Sequence, residues 1–172
     1  MRGKSSNLAR LLLTVLILQL AFVYGQNNIP EKIEKAGCSE DYPGQDRVTI
    51  FDSTKVKVMD SGLSYVNEHK LIKVLTSRGA KQLRTMAFRY DTLSAFIEIK
   101  EARIYKKDGQ VIELNSDDIY DYPAPAHMIY WGARKKMAAF GRLEPGDAVE
   151  IKKFRKGFTY ALLANEDEEK FV

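Results

Sequence analysis

Two histidines, His69 and His127, and a single cysteine, Cys38, are the side chains of this chain best suited to acid–base or nucleophilic work near neutral pH. Such work needs a partner: a carboxylate to orient the imidazole and a hydroxyl or thiol within its reach. His69 follows Glu68 in an alternating, strand-like pattern, where a half-exposed side chain is the ordinary outcome. His127 lies in a proline-containing loop, a better place for function. Cys38 sits among Glu, Lys, Gly and Pro with no base beside it, which predicts an unpaired thiol, an intermolecular disulfide after export being its alternative. Lys35 stands where a lipidation signal would carry an aliphatic residue, so lipidation at Cys38 is not expected. Asp117, Asp118 and Asp121 lack the alternating oxygens and the glycine of a calcium loop, and the run Glu166 to Glu169 reads as a solvated charge cluster. GxGxxG, P-loop, HExxH, CxxC and GxSxG patterns are all absent. The sequence therefore predicts no catalytic residue, no metal site and no cofactor.

The densest cluster of recognition-type residues is the segment from Tyr120 to Trp131, which also holds Pro123 and Pro125. Tyr120, Tyr122, His127, Tyr130 and Trp131 are candidate binding residues for a sugar or a peptide, because amphipathic rings bury area at low entropic cost. Because large rings are more often buried than displayed, the stronger expectation is that this segment folds over the open end of the domain and its rings plug the core. Lys152, Lys153, Arg155 and Lys156 form a basic run, but on a strand they point to both faces and make no phosphate-tracking stripe. Nucleic acid is therefore not an expected partner. The overall charge agrees: the formal +4 includes Arg2, Lys4 and Arg10, without which 24 Lys and Arg face 23 Asp and Glu, a net charge of +1.

The elements that must carry these residues are strands. Val48, Ile50, Thr54, Val56 and Val58 share one parity while Lys55 and Lys57 take the other, as in a strand with one wet face. Asp60-Ser61-Gly62 turns the chain into a second strand, Leu63 to Leu75, whose apolar parity shifts midway and so predicts a bulge or a crossing between sheets. Ser77-Arg78-Gly79 reads as another turn, followed by strands around Met86 to Tyr90 and Phe96 to Tyr105. Asp108-Gly109 predicts a type I′ hairpin into Val111 to Leu114. Asp117 to Tyr130 reads as a long loop, Arg134 to Phe140 as a strand, Glu144 to Asp147 as a turn and Ala148 to Leu163 as a long last strand. That last strand switches parity between Ile151 and Phe154, predicting a bulge near Lys152-Lys153, with Gly157 supplying the flexibility. Seven or eight strands joined by Gly-containing turns predict an all-β fold, an antiparallel β-sandwich with a long proline-containing loop.

Residues 1–25 combine a basic start with an apolar run from Leu11 to Tyr24, short of the roughly 20 residues that a spanning helix needs. They read as a signal peptide cleaved after Gly25, which predicts an exported, periplasmic or extracellular product with no stable membrane anchor. Residues 26–46 read as a leader with one short helical turn at Glu31 to Lys35, 47–165 as the sandwich and 166–172 as an acidic tail.

The order of DSGLSYVNEHKLIKVLTSRGAKQL (60–83), IKEARIYKKDGQVIEL (99–114) and GRLEPGDAVEIKKF (141–154) resembles the exported N-terminal domain of unknown function that precedes transglutaminase-like, peptidase-related cores. DYPAPAHMIYWGARKKM (121–137) and KGFTYALL (156–163) are similar to the versions found in Bacteroidetes-type bacteria. The resemblance implies a β-sandwich, an envelope or extracellular location, no catalytic residue within the domain, and a transglutaminase-like partner. It further implies that the Cys, His and Asp of that core lie downstream, so that this chain is one piece of a longer protein. The last strand would then lie at an exposed sheet edge. The function expected is that of a non-catalytic accessory domain, with a free-standing glycan- or peptide-binding module as the alternative.

Overall fold

The computed structural model describes residues 28–124 and 132–160, divided into two units, 1–35 and 36–172. In the first unit a short helix, α1 (Ile29–Lys35), starts where the Asn28 side chain accepts the Glu31 amide at 3.4 Å, and Lys35 pairs with Glu31 at 2.6 Å one turn earlier. This is the helical turn expected in the leader.

The second unit is an eight-stranded antiparallel β-sandwich. Its strands are β1 (Arg47–Val58), β2 (Ser64–Val74), β3 (Thr85–Asp91), β4 (Ala95–Tyr105), β5 (Val111–Glu113), β6 (Ile119–Pro123), β7 (Ala133–Ala139) and β8 (Ala148–Gly157). One sheet has the order β1-β2-β8-β4-β5 and the other β3-β7-β6. Ile72, Val74, Ile104, Val149 and Ile151 from the larger sheet meet Ala138 from the smaller, with Met86, Phe88 and Ile119 packed against them. Ala80, Leu83, Phe140 and Leu143 complete this cluster from the connections. Each such side chain, once buried, contributes about 1.5–3 kcal/mol when it is as large as Val or Leu.

Several local expectations change. The parity shift of the second strand is not a bulge in β2: that strand pairs with β8 without interruption, and Leu71 and Ile72 are buried on opposite faces. The irregularity lies opposite, in β1 between Thr49 and Phe51. Likewise β8 runs unbroken, and the bulge near Lys152-Lys153 belongs to its neighbour β4, where Lys100 is the extra residue. Nor is β8 at an edge. It sits at the centre of its sheet between β2 and β4, because burial of Val149 and Ile151 on one face and of Ala148 and Glu150 on the other fits a central position.

Ser77-Arg78-Gly79 opens a short helix, α2 (Ser77–Gln82), instead of a simple turn; Thr76 caps it, its hydroxyl accepting from the Gly79 amide at 3.1 Å. The hairpin at Asp108-Gly109 has a three-residue loop: Lys106 donates to Gln110 at 2.8 Å, Gly109 donates back to Lys106 at 2.9 Å, and Gly109 alone takes the left-handed position with φ 90°. That is a type I turn closed by a glycine bulge in place of type I′. The stretch from Asp117 to Tyr130 is not all loop, since β6 occupies Ile119–Pro123 after a single 3-10 turn at Ser116–Asp118. Among the described residues no helix is long and apolar enough to cross a membrane.

Candidate functional site

Of the five candidate binding residues, Tyr120 and Tyr122 fall on β6; His127, Tyr130 and Trp131 lie outside the described residues. Alternation on β6 sends both tyrosines to one face. There Tyr120 stands beside Met137 and Tyr122 beside Lys135, with Ala87 and Arg89 of β3 completing two rows across the small sheet. The opposite face carries the core residues Met86, Ala138 and Ile119, so the tyrosines point outward; they are 46% and 37% exposed. The expectation that these rings plug the core is therefore overturned for Tyr120 and Tyr122.

Asp121, between them, points inward and fixes the strand. It accepts from the Tyr90 hydroxyl at 2.7 Å and from Arg134 Nε at 2.9 Å, and it pairs with Lys136 at 3.1 Å. Burial alone would raise its pKa, but the hydrogen bonds from Tyr90, Lys136 and Arg134 outweigh it and hold the carboxyl below its ordinary range. Burial, together with the same contact, pushes the Tyr90 hydroxyl up. The outer edge of β6 is blunted as well. Pro123 has no N–H, the Ile119 N–H is spent on the Ser116 carbonyl, and the Asp121 carbonyl accepts from Arg134 Nη2 at 3.1 Å. The strand thus offers a side-chain face more than a backbone edge.

A second constellation lies on the outer face of the larger sheet. Glu150 of β8, 2% exposed, accepts from His69 Nε2 of β2 at 2.6 Å and from the Tyr105 hydroxyl of β4 at 2.7 Å. An ionised carboxylate only accepts, so His69 carries its proton on Nε2. Arg103 reaches the same carboxylate at 3.6 Å and also pairs with Glu101 at 2.8 Å, which Lys152 meets at 2.9 Å. The ring of Phe51 packs edge-on against His69, with centroids 4.7 Å apart. Burial would raise the Glu150 pKa, yet the hydrogen bonds from Tyr105 and His69 leave it below the ordinary glutamate value, while burial and Glu150 push Tyr105 up. This is a buried acid made structural by its donors. Sequence spacing could not show it, since His69 and Tyr105 lie 81 and 45 positions from Glu150.

Cys38 is exposed, and its backbone amide donates to Asp41 at 2.7 Å in a turn before β1. Among the described residues no group of three or more His, Cys, Asp or Glu is placed to hold a metal.

The run of residues 60–168, from the β1–β2 turn past β8, matches a family profile whose members are described as a domain of unknown function. The chain belongs to the DUF3857 family. No curated protein matches it. The DUF3857 sandwich is similar to part of the crystal structure of a proposed protease from Parabacteroides distasonis, with a TM-score of 0.59 and 10% identity over 65% of this chain and 23% of that one. The chain thus spans less than a quarter of that protein. A family 3a carbohydrate-binding module with flanking linkers, from a Clostridium thermocellum cellulosome scaffoldin, aligns with a TM-score of 0.38 and 12% identity over 74% of this chain and 80% of that module.

Proposed function

We propose that this DUF3857 chain is a non-catalytic accessory domain of an exported, transglutaminase-like or peptidase-related protein of Bacteroidetes type, and that it holds a partner or a substrate. The observation that carries the reading is the use to which its reactive side chains are put. His69, the one histidine among the described residues, spends Nε2 on Glu150, which is itself tied to Tyr105. The likeness to a 23% portion of a larger proposed protease supports a role as one domain of a longer assembly. The resemblance of residues 60–154 to domains that precede transglutaminase-like cores supplies the class of partner.

The test is the native transcript read through the codon for Val172, combined with purification of the chain from its own cells. An in-frame or co-purifying transglutaminase-like region carrying Cys, His and Asp supports the reading. A stop directly after Val172, with no such protein retained, overturns it.

A second reading rests on Tyr120 and Tyr122: two exposed rings on one face of β6, about 7 Å apart along the strand, suit a free-standing peptide- or glycan-binding module. Saturable binding lost in Tyr120→Ala/Tyr122→Ala, by a chain with no transglutaminase-like partner, would favour it.

A further inference from the structure

The larger sheet turns a second aromatic face outward, on the side away from the core and beyond the Glu150 network. Two rows cross it from β1 through β2 and β8 to β4: Lys57–Tyr65–Lys156–Phe96, and next to it Lys55–Asn67–Phe154–Glu98. The Tyr65 and Phe154 rings lie nearly parallel, 23° apart with centroids at 6.2 Å. Phe96, 49% exposed at the end of the first row, has the Lys136 ammonium of the smaller sheet 5.9 Å from its centroid. Lys156 holds its ammonium 5.8 Å from the Tyr65 centroid, and Lys100, the bulged residue of β4, holds its own 5.6 Å from the Phe154 centroid. Lys156 and Lys100 stand by these rings and Lys57 is paired beside Tyr65, while Glu98 on the same face pairs with Lys100 at 2.7 Å.

We propose that this face is a binding platform for a linear polyanionic glycan, in addition to the role proposed above. The chemistry is complementary on two counts. Sugar rings present C–H faces that pack on aromatic surfaces, and Tyr65 and Phe154 provide two neighbouring rings on this face. Carboxylate or sulfate groups along the glycan take up the lysines. The Lys156 ammonium stands near the 6 Å limit at which a cation still gains from a ring, a contact worth only about 0.5–1 kcal/mol at an exposed site, so little opposes its swing to a ligand anion. The bulge at Lys100 has a purpose in this arrangement, because the extra residue lets Ile99 and Ile97 face inward while it adds Lys100 to the outer charges.

The experiment is titration of the purified chain with a heparin oligosaccharide of defined length, read by calorimetry at two salt concentrations. Saturable binding that weakens at least tenfold in Lys57→Gln/Lys156→Gln, and again in Tyr65→Ala, supports the platform. Because the half-buried Tyr65 ring also packs against Phe154, circular dichroism accompanies that variant, while the lysine pair, both exposed, tests the proposal without burdening the fold. Lys81→Gln/Arg84→Gln, in and beside α2, should bind as the parent does. Absence of saturable binding, an unchanged affinity in the lysine pair, equal binding of neutral dextran, or tighter binding of single-stranded oligothymidylate would each overturn it.

Discussion

Gly79 of α2 lies so close to Asp46 that a Cβ at Gly79 would sit 2.0 Å from the Asp46 carbonyl oxygen. That oxygen is not free to move, since it accepts from the Leu75 and Thr76 amides at 2.9 and 3.2 Å, while the Asp46 side chain accepts from the Thr76 hydroxyl at 2.6 Å. The hydrogen bonds from Thr76 and Arg78 hold the Asp46 carboxyl below its ordinary range. In most helices Gly→Ala would stabilise by about 0.5–1 kcal/mol. Here overpacking against a fixed backbone atom reverses the sign, and Gly79→Ala should lose about 2 kcal/mol in urea unfolding. Lys81→Ala, exposed on the same helix, should stay within about 0.5 kcal/mol. A Gly79→Ala chain as stable as the parent would show that the close approach is absent in solution.

The tyrosines of β6 make the opposite prediction. Rings that plugged the core would cost as much to remove as Leu71, which is fully buried and whose truncation to alanine should cost about 2–5 kcal/mol. Exposed rings should cost almost nothing, so Tyr120→Ala and Tyr122→Ala are each expected to shift stability by no more than about 0.5 kcal/mol. Thermal unfolding of the three variants beside the parent ranks them. Losses of several kcal/mol in the tyrosine variants would restore the plug.

The contrast between the two positions also marks how far the residue pattern reaches. Alternation is a local property, so Met86 to Tyr90, Phe96 to Tyr105 and Val149 to Ile151 identify their strands and the antiparallel sandwich follows. Which strand lies beside which is non-local. The place of β8 between β2 and β4 depends on distant partners, such as Ile72 and Val149, 77 positions apart, and nothing near Lys152 announces it. Bulges misled for the same reason: two-sided burial at Leu71 and Ile72 imitates a parity switch within one strand, while the real extra residues, near Ile50 and at Lys100, leave no apolar signature. For the site, exposed aromatics at Tyr120 and Tyr122 were legible as residue types. The Glu150 network and the Tyr65–Phe154 face were not, because each exists only after distant strands pair.

Gly157 serves close approach more than bending. A Cβ there would meet the Ser94 carbonyl oxygen at 2.6 Å and the Ala95 Cβ at 2.9 Å, at the point where β4 begins beside β8. The Gly157 carbonyl also accepts from the buried Ser64 hydroxyl at 2.6 Å. Gly157→Ala should therefore destabilise by about 1–3 kcal/mol. Hydrogen exchange at the start of β4 should quicken with it, and unchanged protection there would contradict the account.

Glu150 gives the prediction with a pH signature. Removing its carboxylate leaves His69, Tyr105 and Arg103 without their common acceptor, so Glu150→Ala should cost about 3 kcal/mol near neutrality. Glu150→Gln keeps the shape and still accepts, and should cost less. In the fold the Glu150 pKa lies below the ordinary 4.5, so over the interval between those values the unfolded chain binds more protons and stability rises with pH. The contribution is complete above 4.5 and disappears as the pH falls through the lowered value. The stability difference between the parent and Glu150→Gln should accordingly narrow as the pH drops below 4.5. Glu101 and Asp121, also held low, add to the acid loss of both proteins and cancel in that difference. Tyr105 has the reverse sign. Its hydroxyl is pushed above the ordinary 10.0, so its share is complete below 10.0 and is lost as the pH climbs beyond it; Tyr105→Phe should flatten the alkaline limb and, by removing a donor to Glu150, weaken the acid limb as well, whereas only Tyr105→Phe removes the group that titrates at high pH. Urea midpoints measured across pH for the parent, Glu150→Gln and Tyr105→Phe separate the two limbs. A parent-to-Gln difference that does not change with pH would mean that Glu150 is not ionised against its donors in the folded chain.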